Sequence, residues 1–365
     1  MLLAASISVS MPLQVAAKGV QVMYNGQKVE TKQEIVLRNG QVWIPIETIA
    51  AYVKCDIRYD EEDKMISFGS YGTMVVKADS PEDEGNYPIL LNGTIYINPY
   101  NIENYLRRTV KWDNKTKTLY IGSKTELYPE SPDIPESQFK YDLDNGDFYN
   151  GKVKVATIPF DYTDVLCVDK CKTDRMNVIY KVTNIYGEPH INYELFSIYV
   201  VGKNTYIAAS RCGGWDINVN NAVINGNTVV LLDQDQIEVY DDTTGKLKKV
   251  HKINEQPLVM YASSVYEPED AANYVEQGKK GYLLEAAGEQ FALYRHCALG
   301  TLTYVNLETD EEVVLYQEVY SPTERAALEA DGTRENDGLQ FVKVENGMLY
   351  LKQSTTGKTY TYKMG

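Results

Sequence analysis

Residues 35–69 read IVLRNGQVWIPIETIAAYVKCDIRYDEEDKMISFG, and residues 88–122 read PILLNGTIYINPYNIENYLRRTVKWDNKTKTLYIG. The two stretches align without a gap at an offset of 53 residues. Similarity at a fixed period of this length is typical of repeated supersecondary units. The matches include turn, core and charged positions: Asn39-Gly40 with Asn92-Gly93, Trp43 with Tyr96, Tyr59-Asp60 with Trp112-Asp113, and Lys64 with Lys117.

Each copy predicts a ββαββ unit. Asn-Gly between apolar runs is a strong hairpin signal, and the apolar strand after it leads into a short helix, about 46–54 in the first copy and 99–107 in the second. A second hairpin follows, with polar turns at 60–64 and 113–117. One such unit is too small to bury a core. We therefore predict one domain of two stacked copies over residues 20–122.

The motifs of this repeat resemble the copper amine oxidase N-terminal-like domain. The family pattern is Asn-Gly, an aromatic strand, a short helix and then V-x-W-D-x-x-T-K, which here appears as Val110-Lys111-Trp112-Asp113 through Thr116-Lys117. Glu47 and Tyr100 stand where the family usually has Arg. The resemblance implies a stalk or surface-attachment module of exported proteins of Gram-positive bacteria. It implies no copper, because copper sites use imidazole ligands and residues 1–125 contain no His.

The N-terminus predicts export. Residues 1–17, MLLAASISVSMPLQVAA, carry no charged side chain and end in Val15-Ala16-Ala17. An apolar run that ends in small residues is typical of a secretory signal peptide, although the basic region that usually precedes it is missing. We interpret the run as a truncated signal, with a buried N-terminal strand or helix as the alternative. No later run reaches about 18 apolar residues, which argues against a transmembrane helix.

Charge divides the chain near residue 125. The net charge of −15 comes from 36 basic and 51 acidic side chains. Residues 1–125 hold 14 of each, so residues 126–365 hold 22 basic and 37 acidic groups. This balance argues against nucleic acid and anionic membranes as partners, because both are bound through basic surfaces. Pro129, Pro132 and Pro135 predict an extended linker over residues 123–138.

Residues 139–365 predict an acidic all-β domain. Short β-forming runs alternate with turn signals such as Asn225-Gly226, a pattern typical of a sandwich, barrel or propeller. The strand–DxxTG–strand phrase at 237–250 resembles the outer hairpin of a propeller blade, and at ~45 residues per blade the domain would hold about five. Ser321-Pro322-Thr323-Glu324 is a capping box that predicts a helix to about Ala330. The predicted fold class is thus mainly β, with an α+β N-terminal domain.

The candidate ligand-binding residues lie in the stretch RCGGWDINVN, which begins at Arg211. Gly213-Gly214 permits a sharp turn that would present Trp215 beside Arg211 and Asp216. An exposed aromatic ring flanked by polar groups suits stacking on sugar rings or binding of peptides. A buried Trp beside a bulge is the structural alternative.

The remaining chemically active side chains predict no catalytic site, cofactor or metal. There is no GxSxG elbow, HExxH motif or phosphate loop, and the histidines lie far apart at His190, His251 and His296. The cysteines lack the spacing of a disulfide framework or a zinc site and are interpreted as buried thiols: Cys55, Cys167, Cys171, Cys212 and Cys297. A cluster of acids is interpreted as a solvated face, with calcium binding as the alternative: Asp233, Asp235, Glu238, Asp241 and Asp242.

These observations favour a secreted or cell-envelope protein without catalytic activity. A stalk would present the acidic β domain to an extracellular glycan, the cell wall or a protein. One alternative is an exported hydrolase of glycans or cell wall, which would need a cleft with two carboxylates near Trp215. The other is a structural envelope component with no small ligand.

Overall fold

A computed structural model describes residues 15–16, 19–38, 40–53, 57–68, 73–78, 86–126, 128–129, 138–160, 163, 165–186, 192–213, 220–254, 281–297, 299–330 and 337–365. The chain divides into two compact units. The first comprises Met1–Leu127 and Ser137–Tyr162, and the second comprises Tyr128–Glu136 and Thr163–Gly365. The structural division therefore differs from the predicted boundary at residue 138, because residues 139–162 belong to the first unit.

The two repeat copies form the centre of the first unit. A six-stranded sheet has the order β1-β4-β5-β11-β10-β9, and further sheets have the orders β12-β13-β2-β3 and β6-β7-β8. The elements, in chain order, are β1 Val15–Ala16, β2 Gln21–Tyr24, β3 Gln27–Lys28, β4 Val36–Arg38, β5 Gln41–Pro45, α1 Ile46–Val53, β6 Ile57–Asp60, β7 Met65–Phe68, β8 Thr73–Val75, β9 Lys77–Ala78, β10 Ile89–Leu91, β11 Thr94–Ile97, α2 Pro99–Tyr105, β12 Thr109–Asp113 and β13 Thr118–Gly122.

Equivalent positions of the two copies meet in one core. The strands β5 and β11 pair antiparallel, with Ile44 opposite Ile97. Four pairs of residues separated by the repeat offset are almost fully buried in this core: Ile44 and Ile97, Ile49 and Ile102, Val53 and Leu106, and Ile66 and Leu119. Each copy thus supplies half of a shared core, which confirms the predicted two-copy domain and both of its helices.

The second hairpin of each copy closes in the same way. Asp60 Oδ1 accepts hydrogen bonds from the backbone N–H of Glu62 and Asp63, and Asp113 Oδ1 accepts from the corresponding positions in the second copy. The last turn residue has a left-handed backbone in both copies, with φ of 55° at Lys64 and 50° at Lys117. Asp therefore recurs because its short carboxylate replaces a backbone acceptor in the turn.

A small sheet extends the first unit beyond the repeat, in the order β14-β16-β17-β18. The turn that contains Asp144 is held by Arg108, whose side chain is 1% exposed and whose guanidinium lies 2.9 Å from the Asp144 carboxylate. Tyr24 donates to the same carboxylate at 2.7 Å. The chain here forms β14 Lys124–Glu126, β15 Tyr128–Pro129, β16 Phe139–Asp142, β17 Asp147–Asn150 and β18 Val153–Thr157, with β15 pairing in the second unit.

The second unit contains four successive antiparallel sheets among its described residues, called the first to fourth sheets below. Their orders are β15-β19-β20-β21-β22, with β15 parallel, then β23-β24-β25-β26, β27-β28-β29-β30 and β31-β32-β33. The elements are β19 Val165–Lys172, β20 Val178–Tyr186, β21 Asn192–Val201, β22 Asn204–Gly213, β23 Ala222–Asn225, β24 Thr228–Asp233, β25 Gln236–Asp241, β26 Lys246–Lys252, β27 Tyr282–Ala287, β28 Phe291–His296, β29 Thr301–Asn306, β30 Glu311–Val314, α3 Leu315–Val319, α4 Pro322–Ala330, β31 Leu339–Glu345, β32 Met348–Gln353 and β33 Thr359–Lys363.

Each sheet packs on the next through an apolar layer. Tyr199 of the first sheet packs with Val229 of the second. Ile237 of the second lies in one cluster with Leu284 of the third, and the third and fourth sheets share another cluster around Leu351. Consecutive meanders that pack face to face are the arrangement of propeller blades. The protein is thus mainly β with an α+β N-terminal part, as predicted.

The predicted capping box is confirmed at α4. The Ser321 backbone N–H donates to Glu324 at 2.9 Å, and Glu324 N–H donates back to Ser321 Oγ at 3.3 Å. These bonds satisfy two backbone donors that the first helical turn leaves open. No helix in the part of the chain that the structure describes is long and apolar enough to cross a membrane.

Candidate functional site

The end of β22 carries the one predicted ligand-binding residue that the structure describes. Arg211 Nε lies 2.9 Å from Glu194 Oε1, and a terminal nitrogen lies 2.5 Å from the same oxygen. Register explains the contact, because Arg211 is paired with Glu194 across β21 and β22. The Glu194 side chain is 4% exposed, whereas that of Arg211 is 34% exposed. The arginine thus holds a buried carboxylate while part of its side chain reaches solvent.

A disulfide fixes this strand end to the third sheet. Cys212, next to Arg211, is bonded to Cys297, and their Cα atoms lie 5.6 Å apart. This corrects the expectation that all five cysteines are buried thiols. The bond joins residues 85 positions apart in sequence, so only the packing of the sheets brings them together. Gly281 is required beside them, because a Cβ there would lie 1.7 Å from the Arg211 carbonyl oxygen.

Other predicted residues of this region have separate outcomes. Trp215 and Asp216 lie outside the described residues, so their grouping with Arg211 stays a prediction. His296 is buried, and its ring centroid lies 5.0 Å from that of Tyr282. Cys167 and Cys171 both lie in β19. Four residues of extended chain span roughly 13 Å, which is too long for a disulfide between them.

Buried charged clusters connect consecutive sheets. Between the first and second sheets, Tyr199 donates to Asp242 Oδ1 at 2.7 Å, and Asn177 Nδ2 donates to the same oxygen at 2.9 Å. Asp242 is fully buried, and its Oδ2 has no hydrogen-bond partner among the residues that the structure describes. Burial and the adjacent Asp242 raise the pKa of the Tyr199 phenol. Asp242 therefore serves as a buried anchor, which corrects its predicted place on a solvated acidic face.

His251 occupies the corresponding position between the second and third sheets. Its Nδ1 lies 2.9 Å from Asp310 Oδ1, and its Nε2 lies 2.7 Å from Glu312 Oε1. Tyr294 also donates to Glu312, at 3.0 Å. Burial lowers the pKa of His251, but the hydrogen bonds to the two carboxylates outweigh it and leave the pKa raised. Both ring nitrogens face acceptors, so the contact is satisfied when the imidazole is protonated.

Arg295 holds the third sheet to the fourth. Its guanidinium lies 2.5 Å from Glu285 and 3.0 Å from Asp337, and it donates to the Leu339 carbonyl at 2.5 Å. Burial raises the pKa of the Glu285 and Asp337 carboxyls, and the arginine only partly offsets this rise. Two acids with raised pKa values are therefore present, but Asp337 is 1% exposed and belongs to the packing between sheets.

These clusters explain part of the unusual use of tyrosine, with 30 Tyr against 7 Phe. Four tyrosines of the second unit pack in the layers between sheets or beside the last sheet, and their hydroxyls reach acceptors there: Tyr199 to Asp242, Tyr294 to Glu312, Tyr320 to the Asp337 carbonyl, and Tyr360 to Glu324. A tyrosine can fill such a layer and satisfy a buried acceptor at the same time.

Three other acids of the predicted cluster have structural hydrogen-bond partners. Asp233 accepts from the Ala209 backbone N–H at 2.9 Å, Asp241 closes the turn through Thr243 at 2.9 Å, and Glu238 accepts from Tyr240 at 2.6 Å. Within the described residues, no group of three or more His, Cys, Asp or Glu side chains is placed to hold a metal ion.

Comparison with known families supports the N-terminal assignment. The family model of the copper amine oxidase N-terminal domain matches residues 7–68, which include the first repeat copy up to its residue 68. The match spans less than half of the chain. No curated protein matches the sequence.

Among solved structures, the chain is similar to a glutaminyl cyclase from Myxococcus xanthus, with 10% identity, a TM-score of 0.24, and coverage of 65% of this chain and 87% of that one. The WD40 domain of SCAP from fission yeast is 10% identical, with a TM-score of 0.22, and the match covers 84% of this chain and 65% of that one. The AfRom2 CNH domain is 8% identical, with a TM-score of 0.21, and the match covers 84% of this chain and 83% of that one. The assignment of the second unit as a series of blade-like sheets rests on its own strand pairing.

Proposed function

We propose that this is an exported binding protein without catalytic activity. Its N-terminal unit would attach or space the molecule, and its acidic β unit would contact an extracellular glycan, the cell wall or a protein. The Cys212–Cys297 disulfide is the observation that carries the proposal. Disulfides form and persist mainly in secreted and envelope proteins, because the cytosol keeps thiols reduced. The family match at residues 7–68 supports the same placement.

The buried titratable groups favour binding over catalysis. A hydrolase needs two carboxylates that reach the substrate. The described acids with raised pKa values are Glu285 and Asp337, and Arg295 and the sheet packing hold both. His251 is engaged on both nitrogens by carboxylates. Because these groups stabilise the unit, we expect the ligand to contact residues on its surface.

The test is co-sedimentation of the purified full chain with isolated cell walls and with a panel of insoluble extracellular glycans. Reducing sugars and soluble wall fragments are measured in the same tubes. The proposal predicts that the protein sediments with at least one of these materials and releases no product. Release of product would replace it with the exported hydrolase, and failure to sediment with any of them would favour the structural envelope component.

A further inference from the structure

The last sheet of the second unit carries an excess of basic side chains, although the unit as a whole is acidic. Residues 339–365 hold four basic and one acidic side chains, whereas the rest of the second unit, residues 128–136 and 163–338, holds 15 basic and 31 acidic ones. A reversal of sign within an acidic domain marks a surface whose electrostatic potential differs from that of its surroundings.

Strand register places the basic side chains on one face of the fourth sheet. Lys343 is opposite Tyr350, and Tyr350 is opposite Thr361. Lys352 and Lys363 lie on the same face, because side chains two residues apart along a strand point to the same side. We call this the basic face; its members are Gln340, Lys343, Glu345, Met348, Tyr350, Lys352, Thr359, Thr361 and Lys363.

The opposite face of the sheet is the one that packs in the protein. Leu349 and Leu351 are fully buried there, in the layer shared with the third sheet. On the basic face, Tyr350 and Met348 are half-buried and the other members are exposed. The basic face is therefore open to solvent and extends over three strands.

Its chemistry combines cations, an aromatic ring and hydroxyls. The Lys343 ammonium lies 5.0 Å from the centre of the Tyr350 ring and 2.8 Å from the Glu345 carboxylate. Lys352 lies two residues along the strand from Tyr350, the residue opposite Lys343. Lys363 is opposite Met348, which lies two residues from Tyr350 in the other direction. Each such step is about 7 Å. The three lysines thus surround Tyr350, with Thr361 opposite Tyr350 and Thr359 opposite Lys352.

We propose that the basic face binds an acidic polysaccharide, a chain of sugar rings that carries carboxylates at intervals. Its carboxylates would meet the three lysines, its hydroxyls would meet the threonines, and a ring would lie against Tyr350. This proposal rests on the proposed function, since it names the class of ligand that the exported β unit contacts. It adds a surface separate from the end of β22.

Charge complementarity selects this partner over the other anionic polymers. A nucleic acid carries a dense row of phosphates and is bound through many cations, whereas this face offers three lysines on a chain of net charge −15. An acidic protein segment would satisfy the lysines but would make no specific use of the hydroxyls and the ring. A polysaccharide with spaced carboxylates uses all three features of the face.

The experiment measures binding of the full chain to immobilised polygalacturonate, with dextran as an uncharged glycan and with polyglutamate and single-stranded DNA as other polyanions. The test variant is K343Q/K352Q/K363Q. The matched control K172Q/K203Q/K246Q removes the same charge from three exposed lysines elsewhere in the second unit. All six side chains are exposed, and circular dichroism verifies that both variants fold.

The proposal predicts salt-sensitive binding to polygalacturonate that the test variant weakens by about tenfold, since each exposed ion pair contributes ~0.2–1 kcal/mol. The control variant should bind like the wild type. Equal loss in both variants, or equal affinity for polyglutamate or DNA, would overturn the proposal. If the chain sediments with other extracellular material but ignores polygalacturonate, this proposal fails while the proposed function stands; if it sediments with none, both fail.

Discussion

Replacing His251 with glutamine tests the cluster between the second and third sheets. The wild-type imidazolium donates to Asp310 at 2.9 Å and to Glu312 at 2.7 Å. The glutamine amide can donate to one of these carboxylates and carries no charge. The variant therefore leaves the two acids in place while it removes the cation between them.

The two contacts differ in strength because their carboxylates differ in exposure. Glu312 is 8% exposed, so its charge-assisted hydrogen bond contributes about 1.5–3 kcal/mol. Asp310 is 59% exposed, so solvent screening makes its contribution small. The new amide restores about 1 kcal/mol. We expect the variant to lose about 2 kcal/mol of unfolding free energy when the wild-type imidazole is charged.

The loss should depend on pH in one direction. The pKa of His251 is raised above its ordinary value of 6.5 in the folded protein. A raised pKa means that the contribution is complete below the unfolded pKa and disappears as the pH rises through the folded one. Urea unfolding followed by circular dichroism at about pH 6 and about pH 9 measures both ends of this range.

The unfolding free energies of wild type and variant should therefore differ near pH 6 and converge near pH 9. The control is K252Q on the same strand, where Lys252 is 74% exposed and lies 3.8 Å from Asp235. It should have little effect at either pH. A His251→Gln difference that is the same at both pH values, or absent at pH 6, would refute the assignment of His251 as a charged link between the sheets.

Three other substitutions, and a fourth that serves as a control, probe the remaining links by the same unfolding measurement. Tyr199→Phe should cost about 1–3 kcal/mol, because it removes a donor from the buried Asp242, whereas Tyr350→Phe should stay within ~0.5 kcal/mol; equal effects would contradict this. Cys297→Ser opens a loop of 85 residues and should cost roughly 3–5 kcal/mol, unless the bond is absent from the native protein. Arg108→Gln leaves a buried carboxylate unpaired and should cost ~3 kcal/mol in the first unit; a neutral result would remove Arg108 from the link to the extra sheet.

Local signals in the sequence predicted local structure well. The helix predicted at 46–54 is Ile46–Val53, and the helix predicted from the capping box at Ser321 is Pro322–Ala330. Helix caps and Asn-Gly turns act through hydrogen bonds and backbone preferences within a few residues. The repeat added information at longer range, because matched positions in the two copies occupy matched positions in one core.

The links between sheets could not be predicted in this way. Cys212 meets Cys297 because the packing of the sheets brings the end of β22 next to the residue after β28, and even within one sheet Arg211 meets Glu194 only through the register of two strands. Buried Asp242 was assigned to a solvated face, because sequence marks a carboxylate as polar but does not show which partners satisfy it. The excess of tyrosine was a signal of these layers, since each phenol can satisfy a buried acceptor.

The central claim, that this protein works outside the cell, is tested most directly by mapping Cys212 and Cys297 in protein recovered from its producing cell. The surface and medium fractions and the cytosol are alkylated separately, digested without reduction and examined by mass spectrometry. The account predicts the Cys212–Cys297 linked peptide in the exported fractions. Protein confined to the cytosol with both thiols alkylated would contradict it.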